Sequence, residues 1–265
     1  MKWTISCLQF NISYGNPSEN FKKASRLIEA ESRRSDIVIL PEIVILPELW
    51  TTGYDLKRLD EIGDDEGEQT KKWLQQTAKA NDVHIVCGSV AVKKKSGVYN
   101  TMYIADKHGQ LVKEYSKAHL FQLMDEHLYL SSGSADGSFE LEGVKAAGFI
   151  CYDIRFPEWI RKHTSKGAGI IFVSAEWPLA RLDHWRALLA ARAIENQCFV
   201  AACNRSGKDP ANEFAGHSMI IDPLGHVLSE AGREDTVIRA EIDLDDIAKT
   251  RGHIPVFEDI RKDLY

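Results

Sequence analysis

Apolar and polar positions alternate along KWTISCLQF, residues 2–10, as they do in a strand with one buried face. NPSEN then turns the chain, and Ser18 is placed to cap a helix reaching about Arg34, with Phe21, Ala24, Leu27 and Ile28 as its apolar stripe. After a β-like run at 37–48, Asp60–Glu68 reads as a solvated acidic loop rather than a metal site, leading to a helix around Trp73 and Leu74. VHIVCGSVAV predicts one strand, and VYNTMYIAD, KHGQ and LVKEYSK predict a hairpin. FELEGVKAAGFIC predicts a second hairpin, turning at Glu142 and Gly143. GIIFVSAEW (strand), LDHWRALLAARAIENQ (helix) and CFVAACN (strand) follow. The polar loop SGKDPANEFAG leads to a hairpin around Pro223 and Gly225, and TVIRAEID is the last strand.

Strands thus alternate with helices while several neighbouring strands form hairpins. That mixture predicts an α/β fold of mixed sheets with helices outside, not a purely parallel doubly wound sheet. With 265 residues, 44% of them hydrophobic, and no linker, the expectation is one domain over 1–265. Residues 250–265 read as a charged tail with scattered apolar residues, expected to dock on a neighbour.

Composition narrows the function classes. A formal charge of −6 without a basic stripe disfavours nucleic acid. No apolar run reaches membrane-spanning length, and the N-terminus alternates like a strand rather than a signal peptide. Cys7, Cys87, Cys151, Cys198 and Cys203 are odd in number, lack C-x-x-C spacing and mostly lie in apolar runs, as reduced cytoplasmic thiols do. Cys198 and Cys203 would face opposite sides of a strand, so no metal site is expected there.

Two stretches stand out. IVILPE occupies residues 37–42 and again 43–48. Proline removes a backbone donor, so one copy should form the strand while the other loops out or extends it. A slip of six preserves side-chain parity, leaving Glu42 and Glu48 as rivals for one position. In GFICYDIRFPEW, residues 148–159, Cys151 ends an apolar strand just before a helix opened by Pro157. Such a position exposes a side chain above a sheet and aims backbone N–H groups at a developing anion.

LPELWTTGY at 46–54, YSKAHLF at 115–121 and GFICYDIRFPE at 148–158 resemble, in order, the three motif blocks of the nitrilase superfamily of carbon-nitrogen hydrolases. DEHLYLSSG, SAEWP and HWRALLAARAIENQCFVAACNRSG extend the resemblance, which runs from the first strand to about Asp243. The last two are most similar to the bacterial omega-amidase branch and, more narrowly, to nitrilase-like hydrolases associated with methionine salvage in bacilli. The resemblance implies a four-layer α-β-β-α sandwich of two mixed sheets that commonly forms a homodimer or higher homo-oligomer. It implies a Glu-Lys-Cys triad, matched by Glu48 (LWTTGY follows it directly), Lys117 and Cys151, with Glu126, seven residues before Gly133, as a second glutamate. SDIVILPE upstream fits Glu42 equally well. No cofactor is implied.

The chemistry asks for these residue types independently. An amide carbon needs a strong nucleophile, which a thiol beside a base supplies. A buried glutamate can take the thiol proton and return it to departing ammonia. An ammonium, with the Tyr152 backbone N–H, can hold the oxyanion. Each residue has a plainer alternative: Glu48 and Glu126 as surface charge, Lys117 as a solvated cation, His119 as a satisfied core histidine, Asp153 and Arg155 as an ion pair. For a substrate carboxylate, Arg155 and Arg181 are the nearest cations by motif, and Trp177 and Phe121 are candidate pocket walls. The expected substrate is a small linear amide, the omega-amide of a 2-oxo acid such as 2-oxoglutaramate or a methylthio analogue, opened through a thioester. N-carbamoyl amines or amino acids, acyl transfer to an amine, and a scaffold disabled by the duplication are the alternatives.

Overall fold

The computed structural model describes residues 1–32, 42–261 and 263–264. Among them, an eight-stranded and a six-stranded sheet stack face to face. In the larger sheet Lys2–Gln9 pairs antiparallel with Thr236–Asp243 and parallel with Glu42–Ile45, which pairs parallel with His84–Val86. In the smaller, Ile170–Ala175 lies parallel to both Val144–Ile150 and Phe199–Asn204, with antiparallel hairpins Ser138–Leu141/Val144–Ile150 and Met219–Ile221/Val227–Glu230 at its edges. Both sheets are mixed, as the pattern of hairpins and helices predicts.

Strand parity builds the layers. Ile43 and Ile45 face the second sheet in one apolar core with Phe139, Ala146 and Phe172. Val44 and Leu46 face the other way, against Ala24 and Ile28 of the Pro17–Ser32 helix and Leu74 and Ala78 of the Glu68–Asn81 helix. Across the molecule Ile160 of Pro157–Thr164 and Trp185 and Leu189 of Leu182–Asn196 cover the smaller sheet. The order of layers is therefore helix, sheet, sheet, helix. No helix among the described residues is long and apolar enough to cross a membrane.

Several local expectations shift. The first helix is capped not by Ser18 but by Asn16, whose Oδ1 accepts from the Glu19 N–H at 3.2 Å, because Pro17 takes the first helical position. The acidic loop is partly ordered: Asp64–Asp65 pairs with Val92–Lys93, and Asp64 accepts from the backbone N–H groups of Gln69 and Thr70 at the next helix's start. VHIVCGSVAV is two strands, His84–Val86 and Val90–Lys94, broken at Gly88, whose φ is +55°. A side chain there would meet the Pro47 carbonyl oxygen at 1.9 Å. The predicted turn at Glu142 and Gly143 forms with both residues at positive φ, a conformation that matches strand twist in a tight hairpin.

The second hexapeptide copy, preceded by Glu42 of the first, supplies the strand. Glu42–Ile45 pairs with Thr4–Cys7, and residues 37–41 of the first copy lie outside the described residues, as does Arg34 at the expected end of the first helix. Past the last strand, Asp245–His253 is helical and packs on its own chain: Gln197 Nε2 donates to the carbonyls of Thr250 and Ile254, and Phe257 lies under Arg161 and Arg251.

Candidate active site

The break at Gly88 shapes the turn that carries Glu48. The Ser89 N–H donates to the Pro47 carbonyl at 3.1 Å, the Ser89 carbonyl accepts from the Trp50 N–H at 3.0 Å, and Ser89 Oγ accepts from the Leu49 N–H at 2.9 Å. Leu49 has φ +41°, and Trp50 is pinned by its Nε1 donating to the Cys87 carbonyl at 2.8 Å. Glu48 is thereby held fully buried. Glu42 starts the same strand, its backbone opposite Thr4, so of the two rivals it is Glu48 that reaches the cluster below.

Lys117 follows directly on the Leu111–Ser116 strand, its N–H bonded to the Asn100 carbonyl at 2.8 Å and its carbonyl accepting from Gly133 at 2.8 Å. Its ammonium is fully buried between two carboxylates, 2.8 Å from Glu48 Oε1 and 2.6 Å from Glu126 Oε1. Burial pushes the ammonium toward neutrality, but Glu126 and Glu48 outweigh it and hold its pKa above the usual lysine range. Glu126 is itself raised by burial against the pull of Lys117, and accepts from Tyr54 Oη at 2.5 Å and the Phe121 N–H at 2.8 Å. Asn100 Nδ2 donates to Glu48 Oε1 at 2.8 Å, and the Glu176 N–H donates to Glu48 Oε2 at 2.9 Å.

Cys151 ends the Val144–Ile150 strand at φ +44°, a strained backbone for a non-glycine residue. A short 3₁₀ turn, Cys151–Arg155, separates it from the Pro157 helix. Asp153 locks that turn: its Oδ2 accepts from the Ile150 N–H at 3.0 Å and Tyr115 Oη at 2.7 Å, and its Oδ1 from the His119 N–H at 3.1 Å. His119 Nδ1 lies 2.8 Å from the same oxygen, its ring stacked on Phe156. Asp153 and Arg155 therefore form no ion pair with one another; the acid is spent on the turn. Burial first, then the Glu48 carboxylate, raise the Cys151 thiol well above its ordinary pKa, so the resting sulfur is protonated beside a base.

Cys151 opens into a small recess lined also by Phe121, Tyr152, Arg155, Glu176, Trp177, Pro178 and Arg181. The guanidinium of Arg155 lies 4.7 Å over the Trp177 ring and that of Arg181 5.6 Å over Phe121. Burial and the neighbouring Arg181 lower the Arg155 pKa. Among the described residues neither arginine has a carboxylate partner. Thiol, carboxylates, ammonium and cation-lined recess thus meet in one place, drawn from both sheets. An arrangement of this kind can acylate the thiol and hydrolyse the thioester.

The Carbon-nitrogen hydrolase family matches residues 4–252. The chain belongs to that family. It is 69% identical over 265 residues to a Bacillus subtilis protein named 2-oxoglutaramate amidase, covering the whole of both chains. Against the Escherichia coli K12 protein named omega-amidase YafV it is 32% identical over 259 residues, 96% of this chain and 95% of the other. The crystal structure of XC1258 from Xanthomonas campestris, a CN-hydrolase superfamily protein with an arsenic adduct in its active site, superposes with a TM-score of 0.90 at 32% identity, covering 99% and 98% of the two chains. The four-layer sandwich is that of the carbon-nitrogen hydrolases, and the protein is an enzyme acting on carbon-nitrogen bonds.

Four participants escape a reading of this carbon-nitrogen hydrolase's sequence. Tyr54, at the end of LPELWTTGY, and Asn100, in the strand VYNTMYIAD, orient the two glutamates, and nothing in the sequence marks them. Glu176 in SAEWP and Arg205 in ACNRSG are both fully buried, with Arg205 Nη1 2.6 Å from Glu176 Oε2. A glutamate ending the apolar run GIIFVSA was the available signal for that pair.

Proposed function

We propose that this enzyme hydrolyses the omega-amide of a small 2-oxo acid, 2-oxoglutaramate in the first instance, to the acid and ammonia. The observation that carries the substrate class is the pair Arg155 and Arg181, two guanidiniums without carboxylate partners lining the recess into which Cys151 opens. Such cations suit the distal carboxylate of an omega-amide, and the small recess suits a linear one. The names of the Bacillus subtilis and Escherichia coli relatives support the same substrate.

In this reading Cys151 gives its proton to Glu48 as sulfur attacks the amide carbon. The carbonyl oxygen, now an oxyanion, is held by the Lys117 ammonium and the Tyr152 N–H. Glu126 keeps Lys117 charged and aimed. Collapse breaks the carbon-nitrogen bond, Glu48 returns the proton to nitrogen, and ammonia leaves a thioester on Cys151. Water, deprotonated by Glu48, opens the thioester and releases the carboxylic acid with the thiol restored.

The finer context is also proposed: a cytoplasmic enzyme, since all five cysteines are free and buried, acting in methionine salvage as the narrower family resemblance implies. A homodimer is supported by exposed apolar Ile194 beside Leu224, Val227 and Leu228 of the adjoining hairpin.

The test is ammonia release from 2-oxoglutaramate by the unmodified chain and by Cys151→Ala. Release abolished by the substitution supports the proposal. Inertness toward 2-oxoglutaramate with carbon dioxide released from an N-carbamoyl amino acid would replace the substrate, and inertness toward both would favour a disabled scaffold.

A further inference from the structure

The mechanism leaves one buried oxygen without employment. Glu176 is the first residue after the Ile170–Ala175 strand, as Cys151 is the first after the parallel, directly paired Val144–Ile150 strand. The two side chains therefore rise from the same end of neighbouring strands and line the same recess. Glu176 is fully buried. Its Oε2 accepts from Arg205 Nη1 at 2.6 Å, while its Oε1 is buried with no hydrogen-bond partner among the described residues. An orphaned carboxyl oxygen in a native interior is costly and calls for a ligand.

The surroundings say which ligand. Glu48 is polarised: Lys117 and Asn100 occupy its Oε1, and the Glu176 N–H occupies its Oε2. The oxyanion of the reaction belongs on the Lys117 side, so the departing nitrogen belongs on the side of Glu176. A primary amide carries two N–H donors on that nitrogen, and one of them must face Glu48's neighbour as the other end of the amide faces Lys117.

We propose that Glu176 is a specificity-determining residue of this active site: its unpaired Oε1 accepts a hydrogen bond from the N–H of the scissile amide, which sets the carbon over Cys151 and distinguishes the amide from the carboxylate product. The inference rests on the amidase reading above. The product presents acceptors where the amide presented donors, so the same oxygen that holds the substrate repels the acid and speeds its release. Arg205 fixes the side chain by taking Oε2, with further support from its own bonds to the Ile12 and Lys208 carbonyls. Burial pushes the Glu176 carboxyl up to about 8 against the pull of Arg205, so Oε1 is a bare acceptor above that pH and carries a proton below it, and the comparisons that follow are made at about pH 9.

Glu176→Gln is the first variant. Its amide oxygen will stay on Arg205, which offers only donors, and its NH₂ will turn into the recess as a donor. The expected result is a rise of about tenfold in KM for 2-oxoglutaramate together with tighter inhibition by 2-oxoglutarate of similar size. A purely structural pairing with Arg205 predicts instead that both constants weaken together, and an unchanged ratio of the two overturns the inference. As a measurement independent of that variant's folding, calorimetry on Cys151→Ala would compare 2-oxoglutaramate with the 5-methyl ester of 2-oxoglutarate, which lacks N–H donors. Equal binding of amide and ester overturns the inference; amide binding about tenfold tighter supports it. If the unmodified enzyme releases no ammonia from 2-oxoglutaramate, the substrate reading fails and takes this inference with it. Release with an unchanged ratio in Glu176→Gln removes Glu176 alone.

Discussion

Lys117 is a cation wholly inside the protein, and its two carboxylate partners are equally dry. Removing it leaves both glutamates without their cation, the situation in which broken buried pairs cost about 3–5 kcal/mol. Lys117→Met is therefore expected to lose activity and to unfold at distinctly lower urea, measured by circular dichroism. The Glu176 carboxyl, ordinarily near 4.5 and pushed to about 8 when folded, binds its proton more tightly in the folded chain. Between those values the folded state holds the proton that the unfolded state has lost, so stability falls as pH rises, by up to about 1.4 kcal/mol per pH unit. Urea midpoints from pH 5 to 8 should show that downward slope, flattened in Glu176→Gln. An identical slope in both chains would exclude Glu176 as its source. At this scale Cys151 and Lys117 were legible because their motifs stand in order along the chain. Tyr54, Asn100 and the Glu176–Arg205 pair were not, because their importance lies in which buried atom each meets across the sandwich, and spacing does not encode that.

At the scale of elements, alternation and turn residues located most strands, and the misses are instructive. VHIVCGSVAV reads as unbroken because every residue but Gly88 and Ser89 favours a strand; only the closeness of the Pro47 carbonyl makes the break necessary. Asn16 displaced Ser18 as a cap because Pro17 fixed the helix start. For the hexapeptide duplication, parity left two registers open, and packing chose the second copy, since Ile43 and Ile45 fill the inter-sheet core while Glu48 meets Lys117. Deleting residues 37–42 or 43–48 yields the same sequence, with one IVILPE leading into LWTTGY. The shortened chain is expected to keep its ammonia-releasing activity within about twofold and to melt within a few degrees of the full chain, about 1 kcal/mol. Loss of activity on deletion would show that the extra residues are needed to seat Glu48.

For the whole molecule, the layered sandwich leaves a patch of exposed apolar side chains on its outer helix and hairpin, with Ile194 53% and Leu224 55% exposed. If that face joins two copies, Ile194→Asp will shift sedimentation toward the monomer while ammonia release per chain changes little, since Ile194 lies outside the recess. Unchanged sedimentation would move the interface elsewhere. Layer order was readable from hairpins interleaved with helices, but surface pairing leaves no periodic trace. One consequence of the architecture concerns how the protein fails. Glu48 and Lys117 hang from the larger sheet, Cys151 and Glu176 from the smaller. The site is a rivet through the seam rather than a fixture on either plate, so slippage of one sheet against the other would separate Glu48 from Cys151. Turnover then serves as a gauge of how well the two halves are fastened: in rising denaturant it should fade before the secondary structure of either sheet is lost.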